Sequence, residues 1–334
     1  MSSDSAPDTE FQQRPAAPSP NTSNASSGGL GNGAALFVML ITPLLFATNV
    51  VFGRAAVAEV NPFTLAMLRW AFVAAILYPF CRKALAANMD ALREHGPLLI
   101  GMGFMGNFIC GGVFYLALQY TTAANGALIY SAVPAVLIVI ERLFFGRAIV
   151  AKEILGISIA MAGIVVIVMR GSWDVLLSFA FNPGDLLVLV AVFSWSLYSI
   201  FLRRPVFQAM NNTSVLCIIA IFGTALLLPA AVFEIIVTDH FPASADAWLS
   251  IAAIVLFSSL GAFLGYQFSV RRLGATVGSL FMYLMPIYGL ILAAALLGET
   301  IQTFHLWGTC LVLGGVALAT LKLSQLSIFR SQKT

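Results

Sequence analysis

The chain has 334 residues, of which 60% are hydrophobic and only 9% are charged, and its formal net charge is +3. Soluble domains carry about 25% charged residues because their surfaces face water. This composition excludes a soluble fold for most of the chain and predicts an all-α polytopic membrane protein in contact with the lipid bilayer. The small positive charge is spread over many segments, which predicts no nucleic-acid partner.

Residues 1–33 differ from the rest because they are rich in Ser, Pro, Asn and Gly. Such a segment buries too little apolar surface to offset the entropy lost on ordering, so we predict a disordered cytoplasmic tail. The segment also lacks the charged and then apolar order of a signal peptide. At the other terminus, residues 323–334 are expected to form a short cytoplasmic tail.

Ten apolar runs follow the N-terminal tail. A membrane-spanning helix needs about 20 mainly apolar residues, so each run predicts one transmembrane helix. The predicted spans are 34–53, 62–80, 97–118, 123–145, 152–170, 185–202, 214–237, 247–270, 273–296 and 304–322. The joints near Tyr120 and near Arg271 are so short that the flanking helices must turn sharply there.

The distribution of Lys and Arg predicts the orientation, because these residues concentrate on the cytoplasmic side of membrane proteins. With a cytoplasmic N-terminus, 14 of them fall at the inner ends of the spans or in the inner segments. Only Arg54 and Arg170 fall on the outer side, while Arg69 lies within the second span. We therefore predict a multi-pass protein of the cytoplasmic (inner) membrane with both termini in the cytoplasm.

A shift of 152 residues reveals an internal repeat. The coinciding pairs are Gly126 with Gly278, Pro134 with Pro286, Gly146 with Gly298, Gly156 with Gly308, and Gly163 with Gly315. This pattern predicts two five-helix units, 34–170 and 185–322. Because five is odd, the second unit must be inverted relative to the first. Inverted repeats recur in secondary transporters that work by alternating access.

Three stretches resemble a known family. They are "NPFTLAMLRW" (61–70), "FYLALQYTTAANGALIYSAVPAVLIVIERLFFG" (114–146) and "GSLFMYLMPIYGLILAAALLGE" (278–299). All three are similar to the repeats of EamA-family transporters in the drug/metabolite transporter superfamily, and the resemblance covers nearly all of residues 34–322. It implies export of small organic solutes through a central cavity among spans one, three, four, six, eight and nine.

Two details complete the resemblance. Arg69 resembles the Arg that recurs in the second helix of the family, where it is expected to be paired or to snorkel. The family often carries Gly-Glu after the fourth helix of each unit. Here the second unit has Gly298-Glu299, but the first has Gly146-Arg147. A role for a paired acid therefore does not carry over to the first unit.

Polar and aromatic side chains inside the spans are candidates for lining the substrate cavity, because polar groups that face lipid are costly. The candidates are Asn49, Asn107, Tyr115, Asn125, Tyr130, Trp195, Tyr198, Tyr266, Gln267 and Tyr283. Each has a structural alternative, since a buried Tyr hydroxyl usually bonds to a neighbour. Pro134 and Pro286 each remove a helix hydrogen bond, which predicts either paired hinges or static bends.

The sequence favours a secondary transporter that exports amino-acid-like or other neutral or zwitterionic small molecules. Alternatives in the same fold are carriers for cationic drugs, which would need a cavity Glu, and for nucleotide sugars, which would need several cavity Lys or Arg. No Asp or Glu lies at mid-depth in a predicted span, which disfavours direct proton antiport. A scaffold would have no need of an inverted repeat. The sequence leaves open whether two copies form a homodimer.

A membrane-embedded enzyme is a remote alternative. Only three histidines are present, His95, His240 and His305, and they lie far apart without a hydrolase or metalloprotease motif. The four cysteines show no metal-ligand spacing. We therefore predict no catalytic residues, no metal site and no cofactor.

Overall fold

The structure of the chain is a computed structural model. It describes residues 28–146, 148, 150–172, 174, 181–202, 204–238, 241–273 and 281–320. Within these residues every regular element is helical. The composition explains this, because backbone groups surrounded by lipid must form hydrogen bonds within their own segment, and a single apolar segment achieves that only as a helix.

The first half of the described chain contains eight α-helices. They are α1 (Gly28–Ala56), α2 (Pro62–Ala87), α3 (Met89–Glu94), α4 (Gly96–Gly103), α5 (Phe114–Tyr120), α6 (Ala123–Tyr130), α7 (Val133–Phe145) and α8 (Ala151–Val168). A π-helical turn, Phe104–Val113, joins α4 to α5.

The second half of the described chain contains seven further α-helices. They are α9 (Pro183–Phe201), α10 (Pro205–Gln208), α11 (Asn212–Thr238), α12 (Ala245–Ala253), α13 (Ala262–Leu273), α14 (Met285–Leu297) and α15 (Thr303–Thr320). A second π-helical turn, Ile254–Gly261, joins α12 to α13. A 3-10 turn, Met282–Leu284, leads into α14.

Eight helical segments among the described residues are long and apolar enough to cross a membrane. They are Gly33–Ala56, Pro62–Ala87, Gly96–Tyr120, Ala123–Phe144, Ala151–Val168, Pro183–Phe201, Asn212–Thr238 and Ala245–Tyr266. Two shorter apolar segments, Met282–Leu297 and Thr303–Ala319, follow them. The protein is therefore an all-helical, multi-pass membrane protein.

The predicted spans overlap these segments, but several boundaries differ. Helix α1 begins at Gly28, inside the predicted tail 1–33, and α2 continues to Ala87, beyond the predicted end at residue 80. Hydropathy marks where a helix meets hydrocarbon, whereas the helix itself extends into the interface. Residues 1–27 and the predicted tail 323–334 lie outside the described residues.

The joints between helices lie at two ends of the helix bundle. One end carries the joints 57–61, 121–122 and 298–302, and we call it the glutamate end because Glu234 and Glu299 lie there. The opposite end carries the joints 88–95 and 204–211, and we call it the cavity end. The sharp turn predicted near Tyr120 is confirmed, since only Thr121 and Thr122 separate α5 from α6.

The two predicted proline sites share a local geometry. Helix α6 ends at Tyr130. Helix α7 begins at Val133, so Pro134 occupies its second position. Pro286 likewise occupies the second position of α14, directly after the 3-10 turn. Each proline thus begins a new helix, where its missing N–H is not needed.

Helices α7 and α14 also end alike. Gly146 (φ 66°) and Gly298 (φ 67°) both adopt the left-handed conformation at the C-terminus. A glycine favours this conformation because it has no Cβ. The positions that coincide in sequence therefore also coincide in local structure.

Helices α8 and α15 pack closely through glycines. A methyl group on Gly156 would lie 2.6 Å from the Gly315 carbonyl oxygen, and one on Gly315 would lie 2.5 Å from the Gly156 carbonyl oxygen. A methyl group on Gly308 would lie 2.4 Å from the Ile167 side chain and 3.5 Å from the Gly163 carbonyl oxygen, and one on Gly163 would lie 2.7 Å from Val312. Small residues allow such close backbone approach in membranes, where van der Waals packing supports helix association.

Candidate functional site

A cavity of about 400 Å³ extends inward from the cavity end. This volume is typical of small-molecule sites. The described lining residues are Phe46, Trp195, Tyr198, Ser199, Leu202, Phe207, Gln208, Asn212, Val215, Leu216, Phe263, Tyr266 and Met282. None of these is charged, so the described wall combines apolar surface with phenol, indole, hydroxyl and amide groups.

An aromatic row runs from the cavity into the helix bundle, formed by Tyr198, Trp195, Tyr130 and Phe114. Tyr198 stacks on Trp195 with ring centroids 4.9 Å apart and an interplanar angle of 23°. The ring centroids of Trp195 and Tyr130 are 6.3 Å apart, and those of Tyr130 and Phe114 are 5.4 Å apart. Gly106 makes room for this row, because a methyl group there would lie 2.8 Å from the Tyr198 ring.

A buried cation lies beyond the row. Arg69 is only 5% exposed, and its Nε donates to the Ser259 hydroxyl at 2.8 Å. Its Nη1 donates to Asn49 Oδ1 at 2.7 Å and to the Tyr115 hydroxyl at 3.0 Å. Tyr115 in turn donates to Asn49 Oδ1 at 2.8 Å. The guanidinium also lies 4.6 Å from the centroid of the Trp70 ring, within cation–π distance. Of the two alternatives expected for Arg69, pairing or snorkelling, the structure shows pairing, in the form of hydrogen bonds to neutral partners inside the bundle.

A carboxylate at the glutamate end binds the first turn of α6. Glu299 accepts hydrogen bonds from the backbone N–H groups of Ala123 at 2.8 Å and Ala124 at 3.0 Å. The first N–H groups of a helix have no partner within the helix, and the helix dipole favours an anion there. Glu299 therefore links the joint after α14 to the start of α6.

A buried polar cluster lies beside this contact. Asp185, which is fully buried, accepts from the Thr121 hydroxyl and from Asn125 Nδ2, the latter at 3.4 Å to each oxygen. Asn125 Oδ1 accepts from His305 Nε2 at 3.0 Å, while His305 Nδ1 accepts from the Gln302 N–H at 2.9 Å. These bonds assign His305 as the neutral tautomer that carries its proton on Nε2. The cluster joins α6, α9 and α15.

A second glutamate at the same end acts on α2. Glu234 accepts from the N–H of Thr64 at 2.8 Å, from its hydroxyl at 3.0 Å, and from the N–H of Phe63 at 3.2 Å. Asn61 Nδ2 donates to the Thr238 hydroxyl at 2.8 Å nearby. Helices α2 and α11 are thus joined by polar contacts at their glutamate ends.

The ten residues predicted to line the cavity lie in several different parts of the structure. Trp195, Tyr198 and Tyr266 line the cavity, and Tyr130 lies in the aromatic row. Tyr115 and Asn49 contact Arg69, as described above.

The remaining predicted residues lie elsewhere. Asn107 donates to the Ile219 carbonyl at 3.3 Å in the interface with α11, and Asn125 belongs to the Asp185 cluster. Tyr283 is partly buried in the turn before α14. The side chain of Gln267 lies outside the described residues.

Sequence reasoning missed the residues that act through partners on distant helices, namely Asp185, Glu234, Glu299 and Ser259. Asp185 and Glu299 stand at helix ends, where an acid is ordinary, and the partners lie 60 and 176 residues away along the chain. His305 gives no sequence signal for its contact with Asn125, because it lies far along the chain from that residue and from the other two histidines. Among the described residues no group of three or more His, Cys, Asp or Glu is arranged to hold a metal ion.

Three comparisons bear on this architecture. The family model of the EamA-like transporter family matches residues 33–169 and again residues 182–321. The "Uncharacterized transporter YyaM" of Bacillus subtilis (strain 168) is 26% identical over 289 residues, which cover 85% of this chain and 93% of that protein. A solved crystal structure superposes with a TM-score of 0.58 at 19% identity, over 90% of this chain and 99% of that one, and supports the fold alone.

Two relatives have names that mention a solute. The "Probable amino-acid metabolite efflux pump" of Salmonella typhimurium (strain LT2) is 24% identical over 84% of this chain and 92% of its own length. The "Probable terminal-alkyne amino-acid exporter" of Streptantibioticus cattleyicolor is 25% identical over 60% of this chain and 64% of its own length.

The all-helical multi-pass bundle, the match to a transporter family model and the relatives named as transporters together identify a membrane transport protein rather than an enzyme. With both halves of the sequence matched by the family model, the chain belongs to the EamA-like transporter family.

Proposed function

We propose that the protein exports amino-acid-like or other neutral or zwitterionic solutes across the cytoplasmic membrane by alternating access, with both termini in the cytoplasm. The observation that carries this proposal is the difference between the two ends of the helix bundle. A cavity of about 400 Å³ reaches the cavity end, where the Lys- and Arg-rich segments lie, while carboxylates join the helices at the glutamate end. This arrangement suits a state that is open to the cytoplasm and closed to the outside.

The proposal includes ten spanning helices arranged as two inverted five-helix repeats. It is supported by the matched helix breaks before Pro134 and Pro286 and by the glycine contacts between α8 and α15. Those contacts pair the first glycine of one helix with the second glycine of the other, as two equivalent helices related by a two-fold axis would. Inverted repeats allow each half to adopt the conformation of the other, which opens the site to alternate sides.

The chemistry of the cavity favours amino-acid-like solutes over the other substrate classes. Among the described lining residues there is neither the Glu that a cationic drug would need nor the Lys and Arg that a nucleotide sugar would need. The names of the relatives from Salmonella typhimurium and Streptantibioticus cattleyicolor point to the same class.

Solute counterflow in proteoliposomes tests the proposal. Vesicles preloaded with an unlabelled amino acid should accumulate its labelled form saturably, whereas protein-free vesicles should not. Labelled nucleobases and a cationic dye extend the screen. Accumulation of the dye without any amino acid would favour the drug-carrier alternative, and accumulation of none of these solutes would contradict the proposal.

A pair of variants ties the transport to the cavity. Trp195→Ala removes an indole from the cavity wall, whereas Trp307→Ala makes the same change on α15 at a residue that is 65% exposed on the outer surface of the bundle. We expect only Trp195→Ala to reduce counterflow. Equal loss in both variants would indicate a general effect on folding.

A further inference from the structure

We propose that Arg69 binds the carboxylate of the transported solute, which makes the substrate class monocarboxylates with an apolar or aromatic body, amino acids with large side chains among them. The inference deepens the proposed function and rests on it in taking the cavity as the place where the solute enters. It is carried by a buried cation, its unused donors and its position beside the aromatic row.

The charge of Arg69 is the first step. The residue lies seven positions after Pro62, or about 10 Å along α2 from the helix start, and is 5% exposed. No carboxylate among the described residues contacts its guanidinium; the hydrogen-bond partners there are the neutral Asn49, Tyr115 and Ser259. Charged groups inside a membrane are costly and are normally paired or functional.

The unused donors are the second step. The bonds to Ser259, Asn49 and Tyr115 occupy Nε and both hydrogens of Nη1. Nη2 forms no hydrogen bond with a described residue, which leaves two donors for a ligand. Each free N–H of Nη2 can donate a charge-assisted hydrogen bond to a carboxylate oxygen, and such bonds are stronger than those between neutral groups. If the only role of Arg69 were to connect four helical segments, a neutral amide side chain could donate hydrogen bonds to the same acceptors without burying a charge.

The position is the third step. Asn49 follows Phe46, a cavity residue, by one turn of α1. Tyr115 follows Phe114, the innermost member of the aromatic row. A solute with its carboxylate at Arg69 would therefore extend its body along Tyr130 and Trp195 toward the cavity. One cation beside aromatic rings suits a single negative charge and an apolar body.

Ligand-induced thermal stabilisation of the full-length protein in detergent tests this assignment without requiring transport, because a ligand that binds only the folded state raises the melting temperature. The probes are phenylalanine, tryptophan and leucine, each compared with its amide, and phenethylamine. We expect the acids to stabilise the protein and the amides and phenethylamine not to do so. Equal stabilisation by acids and amides in the unsubstituted protein would overturn the assignment, and so would no stabilisation by any acid.

The variants Arg69→Gln and Arg69→Lys locate the effect, with Arg82→Gln as the matched control, an exposed residue on the same helix. Loss of a charge-assisted hydrogen bond should weaken acid binding roughly tenfold or more in Arg69→Gln, while Arg69→Lys should retain part of the preference for acids. A folded Arg69→Gln protein that keeps the full preference would overturn the proposal. If that variant does not fold, Arg69→Lys and the acid–amide comparison decide the question.

Counterflow separates this inference from the proposed function. Acid-dependent stabilisation without counterflow of any amino acid would retain the assignment of Arg69 and contradict transport. Counterflow of amino acids and their amides at equal rates, without acid-specific stabilisation, would retain transport and overturn the assignment.

Discussion

The two ends of the helix bundle are built from different contacts. At the glutamate end, Glu234 and Glu299 bind the first turns of α2 and α6, and Asp185 joins α6 to α9. At the cavity end, α13 is joined to α1 by a bond from the Ser269 hydroxyl to the Ala35 carbonyl, and a cavity of about 400 Å³ separates other helices. Bonds to ionised acceptors contribute about 1.5–3 kcal/mol each. Opening the glutamate end would break several of them.

The sequence contains a reason for this difference. Glu299 follows the terminal glycine of α14, and the equivalent position after the terminal glycine of α7 is Arg147. A guanidinium cannot accept hydrogen bonds, and the helix dipole makes a cation unfavourable near a helix N-terminus. The acid that binds the start of α6 therefore has no counterpart of the same chemistry in the first repeat.

The substitution Asp185→Ala is expected to have the largest effect on the difference in stability between the two ends of the bundle. The substitution leaves Thr121 and Asn125 without their buried acceptor, which should cost about 3 kcal/mol and raise the opening equilibrium of the glutamate end by roughly 100-fold. Hydrogen exchange of the peptide that contains α6 measures this opening. Asp246→Ala, an exposed acid at the same end, is the control and should leave exchange unchanged. Unchanged exchange in both variants would show that Asp185 does not hold this end closed.

Glu299→Gln should give a smaller effect of the same kind. The amide keeps the size of the side chain but loses the charge that favours the start of α6, so exchange at Ala123 and Ala124 should rise about tenfold. Glu153→Gln is the matched control, because Glu153 accepts from the Val150 N–H at the start of α8, at the opposite end. An equal rise of hydrogen exchange in α6 in both variants would contradict a specific role of Glu299 at the start of α6.

Trp195→Ala should affect the cavity and leave the glutamate end unchanged. Removing the indole from the cavity wall should weaken solute binding about fivefold, since an aromatic contact with the solute would contribute about 1 kcal/mol. The KM for counterflow should rise while hydrogen exchange in α6 stays at its original rate. A rise in α6 exchange would mean that the two ends are not independent.

The smallest effect is expected from the double substitution Pro134→Ala and Pro286→Ala. If the two helix breaks are hinges, continuous helices should slow the exchange between states and reduce kcat about two- to threefold, with KM unchanged. Equal changes in kcat and KM would indicate that the prolines are static bends and not hinges. Pro43→Ala, a proline inside α1, is the control substitution.

The sequence predicted the helical spans and the sharp joint near Tyr120, because these follow from local composition. For Pro134 and Pro286 it predicted hinges or static bends, and the structure shows that each proline lies at the start of a helix. It also named Trp195, Tyr198 and Tyr266 as cavity candidates, and these three side chains line the cavity, while their role in substrate binding stays a prediction. It could not predict the partners of Asn125 or Arg69. Those contacts depend on how different helices, whose contacting residues lie 20 or more positions apart in the chain, are arranged, and a single sequence without an alignment does not encode this locally.

The glycines of α8 and α15 also constrain how the sequence can vary. Gly156 and Gly163 are seven residues apart, as are Gly308 and Gly315, so each pair spans about two helical turns and faces the other. An insertion or deletion between the glycines of one helix would move the second contact to the wrong side of that helix. A matching insertion in the partner helix would displace its glycine as well and would not restore the contact, so the seven-residue spacing is expected to remain unchanged in both helices of functional variants of the chain.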